Sequence, residues 1–318
     1  MIDWTKVEYG MDMELRTLRA FVEVVRQGGF TEAAKVVFAT QSTVSKAVKQ
    51  LEDELGVRLL DRVGHRSTLT SAGDIVYRRA LTMLTERDDL LAELDDLHGL
   101  KRGTLRLGLP RIGGDALFAP MFAAYRDRYP NIDVQLVEHG SERLEEVLRA
   151  GEVDLAGLLL PNSEEFDWQE LRREPIVALI AEDHPLAAAG NIALRDLADL
   201  PFILFDAGFA LTPIILEACK QSGFVPRIIA RSSQIGFILE LAADGLGVAF
   251  LPRLIADLRR HERLRPIAIA EPLIEWRMAL AWRRGGYLSQ AARAWLDLAK
   301  DMNRHGVTTP SGVVSTRL

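Results

Sequence analysis

The chain has a single cysteine, Cys219, so it cannot form an intramolecular disulfide, a CxxC redox pair or a cysteine-based zinc site. Peroxide sensing through an internal disulfide is excluded with them, and Cys219, in Leu216-Glu217-Ala218-Cys219, reads as a packed helical thiol. Long apolar runs are also missing. No window approaches the roughly 18 consecutive apolar residues that a membrane helix needs, and Met1 to Gly10 lacks the apolar core of a signal peptide. The expectation is a cytoplasmic protein with no membrane partner. The histidines (His65, His98, His139, His184, His261 and His305) are scattered without HExxH spacing, and neither GxxxxGKS/T nor GxSxG occurs. Gly245-x-Gly247 has Phe250 where a dinucleotide fingerprint needs its third glycine, and it follows a helical pattern and precedes a strand, so it reads as a turn. The sequence therefore predicts no catalytic residues, no metal site and no cofactor. The formal net charge of -6 argues against a uniformly basic nucleic-acid coat, which leaves charge to be read by segment.

At 318 residues the chain is long enough for two or three folding units. Leu15, Leu18, Phe21, Val22 and Val25 share one face of a helix stopped by Gly28-Gly29. Thr31 is the expected N-cap of a short second helix carrying Ala33, Ala34 and Val37. A turn at Phe38-Ala39-Thr40 leads to a third helix with Val44, Val48, Leu51 and Leu55 on one side and Gly56 as its stop. The stretches 57–60 and 67–70 flank a basic tip and predict a hairpin wing. A long helix then runs to about His98 with Tyr77, Leu81, Leu84, Leu91 and Leu94 on one stripe. That stripe suits dimerisation, and docking on its own chain is the alternative.

Gly99 to Gly103 is short, polar and glycine-flanked, as a hinge is, and strands and helices alternate beyond it, predicting an α/β unit with parallel-rich sheets. Two subdomains are expected, with 171–181 as the first crossing and a return at 277–282. The boundaries read as an N-terminal extension at 1–12, a winged helix-turn-helix at 13–70, a linker helix at 71–98 and a hinge at 99–103. An α/β domain follows at 104–303, and a tail at 304–318. Within that domain, subdomain I takes 104–175 and 276–303, and subdomain II takes 176–275.

In the third helix Ser42, Ser45, Lys46 and Lys49 fall opposite the apolar side, and Gln41, Ser42 and Thr43 cluster where side chains can reach base edges and free N–H groups favour phosphate. From Lys35 to Arg79 there are eight basic and five acidic residues, a local surplus of three positive charges. An isolated polar helix face is more often simply solvated. Set between a short helix and a basic hairpin, this one predicts a winged helix-turn-helix, with Arg62 and Arg66 flanking the wing tip, on phosphates or in a minor groove.

The runs Leu15-x-x-Leu18-x-x-Phe21, Gly29-Phe30-Thr31-x-Ala33-Ala34, Gln41-Ser42-x-Val44-Ser45, Leu51-Glu52-x-x-Leu55-Gly56, Leu59-Leu60-x-Arg62 and Leu69-Thr70-x-Ala72-Gly73 resemble the N-terminal module of LysR-type transcriptional regulators. Gly108-Leu109-Pro110, Tyr129-Pro130, His184-Pro185-Leu186 and Gly245-Leu246-Gly247-Val248-Ala249 are similar to that family's periplasmic-binding-protein-like effector domain. Leu60 stands where the family usually has Phe, and the twelve residues before Met13 are extra, which makes Met11 or Met13 the expected start. The resemblance implies a sequence-specific regulator that binds double-stranded DNA as a homodimer, commonly assembled into a homotetramer, with RNA polymerase as a further candidate partner. It also implies a small-molecule inducer held between two α/β subdomains. Inducer contacts are then expected from Pro110, Arg111, Ile112 and Gly113, from Gly140 and Ser141, from Phe205, Asp206 and Phe209, and from Val248, Ala249 and Phe250. Arg111 suits bidentate capture of a carboxylate or other anion, or else it is a surface arginine or pairs with Asp115 or Asp206. The three phenylalanines could line an apolar pocket, although aromatics at strand ends are more often core. Two other readings stay open: a solute-binding or carrier protein whose N-terminal helices only oligomerise, and an enzyme on the binding-protein scaffold.

Overall fold

The computed structural model describes residues 13–63, 66–97, 103–160 and 163–304, with backbone alone at 62, 63, 66, 95 and 304. The expected N-terminal extension, hinge residues 99–102, the wing tip at 64 and 65, and residues 305–318 of the tail lie outside the described residues. The chain divides into two compact units between Leu94 and Asp95.

The first unit opens with α1 (Leu15–Gln27), α2 (Phe30–Val36) and α3 (Gln41–Leu55). Their apolar faces meet in a core that includes Leu18, Phe21, Ala33, Val44, Val48 and Leu51. As the sequence predicts, α1 and α3 end on Gly28 and Gly56, both in the left-handed region. Thr31 is not an N-cap: α2 starts one residue earlier, at Phe30, which the extended backbone of Gly29 permits, and Thr31 lies exposed in the first turn. The hairpin strands β1 (Leu60–Val63) and β2 (Arg66–Leu69) sit nearer the tip than expected. The reason is Glu52, whose Oε1 accepts the N–H groups of Leu59 at 2.7 Å and Leu60 at 3.2 Å and so fastens the start of the hairpin to α3.

The long helix α4 (Ser71–Asp96) follows, its first turn held by the N–H of Gly73 donating to the Thr70 hydroxyl at 2.9 Å. The stripe expected on it divides. Tyr77, Leu81 and Leu84 are half-buried against the core of their own module, with the Tyr77 ring edge-on to Phe21. Leu91 and Leu94 remain exposed, as do Leu90 and Leu97. For the first half of the stripe, docking on the same chain is what occurs.

The second unit runs β3 (Thr104–Pro110), α5 (Ala119–Arg128), β4 (Asp133–His139), α6 (Ser141–Arg149), β5 (Leu155–Leu159) and β6 (Phe166–Ala181). It continues with β7 (Asn191–Ala193), β8 (Pro201–Phe205), α7 (Leu211–Gln221), β9 (Arg227–Ser232), α8 (Ile235–Ala243), β10 (Ala249–Pro252) and α9 (Arg253–Leu258). β11 (Leu264–Glu271), β12 (Glu275–Arg283) and α10 (Gln290–Arg304) complete it. One sheet has the order β4-β3-β5-β12-β6-β11-β7, with β10 also on β6, and β8 pairs with β9.

The sheets are mixed rather than parallel-rich. Strands joined through helices are parallel, as β3 is to β4 and β5 and β8 is to β9. The two strands that carry the chain away and bring it back, β6 and β12, necessarily run in opposite directions and pair antiparallel along nearly their whole length. The crossing strand is also longer than expected, starting at Phe166, because β12 supplies a partner from Phe166 onward. Residues up to Pro175 pair with β12 and those from Ile176 with β10 and β11, and the Ile176 N–H donates to the Ile274 carbonyl at 2.8 Å. A large core including Tyr125, Phe202, Phe250, Trp276 and Trp295 fills the unit. No helix among the described residues is long and apolar enough to cross a membrane.

Candidate nucleic-acid interface and effector cleft

The hydroxyl of Thr40 organises the start of α3. It accepts the Thr43 N–H at 3.2 Å and lies 2.9 Å from the Ser42 hydroxyl and 2.8 Å from that of Thr43. Helical spacing then separates two faces. Val44 and Val48 are buried against α1 and α2, whereas Gln41, Ser42, Thr43, Lys46 and Lys49 are exposed and Ser45 is half-buried between them. Among the described residues neither lysine has an ion-pair partner, so both ammonium groups are free to meet phosphate. Arg62 and Arg66 occupy the tip ends of β1 and β2, and their side chains lie outside the described residues.

Sequence periodicity gave no sign of Phe38. It stands in the turn between α2 and α3 with φ 53°, the left-handed region that bulky residues avoid, and it is 98% exposed. The geometry of the turn demands that conformation, and this sequence supplies no glycine for it.

In the second unit, the ends of β3 and β4 and the start of α6 bring Pro110, Arg111, Ile112, His139, Gly140 and Ser141 against Phe209, Ala210 and Leu211. Trp276 and Met278 of β12 form the back of this cleft. The loops touch: a β-carbon on Gly140 would lie 2.6 Å from the Gly208 carbonyl oxygen, and the remaining cavity is about 20 Å³, room for about one water molecule. Gly113, at φ 83°, lets the 111–114 loop pass over the indole of Trp276, where a β-carbon would come within 2.8 Å. Trp276 escapes a sequence reading that begins the last strand at Arg277. Residues 114–118 then form a single wide π-type turn before α5.

The expected residues of the other half do not all reach the cleft. Val248, Ala249 and Phe250 are buried, with Phe250 packed on Phe202 at 4.8 Å between centroids. Phe205 is buried and stacked on Phe209 at 5.2 Å, so of the three phenylalanines only Phe209 lines the cleft. Asp206 is exposed and outside the lining. Arg111 makes no ion pair among the described residues, because Asp115 pairs with Arg259 at 2.6 Å. Beside the cleft a wider recess carries Glu145 and Glu217. Partial burial raises the Glu145 carboxyl above its ordinary value, with Glu165 and Glu142 adding to the rise and Arg149 opposing it. Cys219 is fully buried, and burial pushes its thiol up to about 12, far from the reactive thiolate range. Among the described residues no cluster of His, Cys, Asp and Glu could hold a metal ion.

Two family models match the chain. Residues 15–74 fit the bacterial regulatory helix-turn-helix protein of the lysR family, and residues 98–304 fit the LysR substrate binding domain. The chain is 37% identical over 289 residues to the uncharacterized HTH-type transcriptional regulator YwbI of Bacillus subtilis, covering 91% of this chain and 96% of that one. It is 32% identical over 242 residues to the transcriptional dual regulator GltC of the same organism, covering 76% and 81%. Among solved structures, full-length OxyR C199D from Pseudomonas aeruginosa superposes with a TM-score of 0.69 at 26% identity, over 92% of this chain and 94% of that one. CbnR, at 19% identity and a TM-score of 0.62 over 91% and 98%, shares the fold. With an exposed polar helix face in one unit, a substrate-binding domain in the other and both family models matched, the chain belongs to the LysR family of DNA-binding transcriptional regulators, and it is not an enzyme.

Proposed function

We propose that the protein reads an operator through α3 and responds to a small anionic effector, such as a carboxylate, in the cleft at Arg111. The DNA reading is carried by one observation: the exposed side chains between Gln41 and Lys49 include two ammonium groups without an ion-pair partner among the described residues, opposite the buried Val44, Val48 and Leu51. The exposed Leu90, Leu91 and Leu94 on α4 support a homodimer. A dimer would present two reading helices to major grooves roughly 34 Å apart. Gel shift against the DNA upstream of the protein's own gene tests this. Ser42→Ala and Lys46→Ala should weaken binding, the second with a salt slope smaller by about one. Binding indifferent to both changes and to sequence would overturn α3 as the reading helix.

The effector reading is supported by Arg111, whose guanidinium makes no ion pair among the described residues and lines the cleft with Ser141 in the first turn of α6. Because the cleft is nearly closed, the ligand must enter by parting the loops at Gly140 and Gly208, and subdomains with boundaries at 175/176 and 275/276 are the bodies that would move. Calorimetric titration with a carboxylate library should find a ligand lost on Arg111→Ala. Equal affinity of parent and variant for every ligand that binds overturns the anion clamp.

A further inference from the structure

We propose that the effector is a dipolar chain, held by a carboxylate at Arg111 and carrying at its far end an ammonium group that Glu145 and Glu217 receive in the recess beside the cleft. The inference rests on the anion reading of Arg111 and adds the other end of the ligand. The cleft alone has room for about 20 Å³, whereas the recess measures about 770 Å³, within the roughly 300 to 1,000 Å³ of pockets that hold organic ligands. The two share Leu159 and Ala210 as walls, so a molecule seated at Arg111 can extend from one into the other.

Two helices mark the path. On α6, Ser141 lines the cleft and Glu145 the recess, one turn and about 6 Å further along the axis. On α7, Ala210 at the N-cap borders both, and Ile214, Glu217 and Gln221 continue the same face into the recess, with Glu217 about 10 Å from Ala210 along the axis. These rises set the length of the occupant. They exceed the separation in an α-amino acid, whose two charged groups share one carbon. Leu160, Ile214 and Leu273 supply apolar wall between, and Leu273, 66% exposed, is a side chain that a methylene chain would cover.

Charge selects the far end. Glu145, Glu217 and Glu275 line the recess, and among the described residues no lysine, arginine or histidine does. Glu275 has Arg173 at 3.8 Å. Glu217 accepts the Gln221 amide at 3.2 Å and, like Glu145, makes no ion pair among the described residues. Arg149, the cation that acts on Glu145, is itself paired with Glu165 at 2.9 Å. A second carboxylate on the ligand would be repelled here and desolvated without a cation. An ammonium would gain charge-assisted hydrogen bonds and offset the burial that raises the Glu145 carboxyl.

The test is calorimetric titration of the full chain with straight-chain carboxylates from butanoate to octanoate, each ending in a methyl, an ammonium or a second carboxylate. At the length that binds best, the ammonium-ended member should exceed its methyl-ended partner at least tenfold, and the dicarboxylate should be the weakest of the three. Combining Glu145→Gln with Glu217→Gln should abolish that preference. Should the double variant lack a parent-like thermal transition, each single substitution decides in its place and should reduce the preference. No binding by any ammonium-ended member, a methyl-ended or dicarboxylate member that binds as tightly, or a folded variant that keeps the preference overturns the proposal. Arg111→Ala reports on the anion reading separately: loss of the methyl-ended carboxylates in that variant upholds the clamp whichever end group is preferred, whereas affinities equal to the parent's for every member remove the clamp and this inference with it.

Discussion

Gly113 and Trp276 form one packed contact: the loop after β3 crosses the indole at a distance that leaves no room for a side chain, in a backbone conformation that disfavours one. Gly113→Ala is expected to cost about 1 to 3 kcal/mol, from strain at positive φ and from displacement of the ring. Urea unfolding of the variant measures the cost. The same change should lower affinity for any cleft ligand, since Arg111 lies two residues before the shifted position.

Glu52 holds the start of the wing. In Glu52→Ala the N–H of Leu59, a fully buried residue, loses its acceptor, and a loss of about 1 to 3 kcal/mol is expected. Glu52→Gln keeps an acceptor oxygen and should recover most of it. Gel shifts should show the wing's contribution to DNA affinity falling in the alanine variant and returning in the glutamine variant.

Phe38 occupies a left-handed position with its ring almost wholly in water, so little packing offsets the strain. Phe38→Gly should relieve roughly 1 to 2 kcal/mol of it, reduced by the greater freedom glycine gives the unfolded chain. The expected net effect is a rise of a few degrees in the first unit's melting temperature, read by calorimetry. A fall in that temperature would show that the ring contributes stability the solvent-exposed geometry does not account for.

Glu145 gives the stability of the second unit a pH dependence with a definite sign. A carboxyl whose folded value lies above its unfolded one binds its proton more tightly in the native state. Its contribution is therefore present below the unfolded value and lost as pH rises through the raised one. Glu145→Gln should raise the melting temperature at pH 7, and the gain should fade as the medium is acidified through the ordinary carboxylate range. A variant less stable than the parent at pH 7 would contradict burial as the dominant influence.

Much of this was legible in the sequence because helices are local. The 3.6-residue spacing of Leu18, Phe21, Val44 and Val48, with glycine stops at 28 and 56, was enough to place α3 and its exposed face. Strands defined by distant partners were harder. Phe166 to Glu170 carries two acidic residues and gives no strand signal by itself, but β12 pairs with it. β11 contains Pro266, which argues against a strand. It is tolerated there because β7 pairs only from Ala268 onward, leaving one side open at the proline. Phe205 and Phe250 were misplaced for a related reason. Strand-end position does not reveal which face of the sheet a side chain takes, and both face the core.

The hydrogen bond between Ile176 and Ile274 ties the outgoing and returning backbones together at the one level where their neighbours change. Two linked ribbons behave like a leaf spring: they can bend and twist as a pair, but neither can slide past the other without breaking the rung between them. Any rearrangement that a bound molecule sets off in the second unit should therefore be a rotation about that rung, with its dihedral changes concentrated within a residue or two of Pro175 and Glu275.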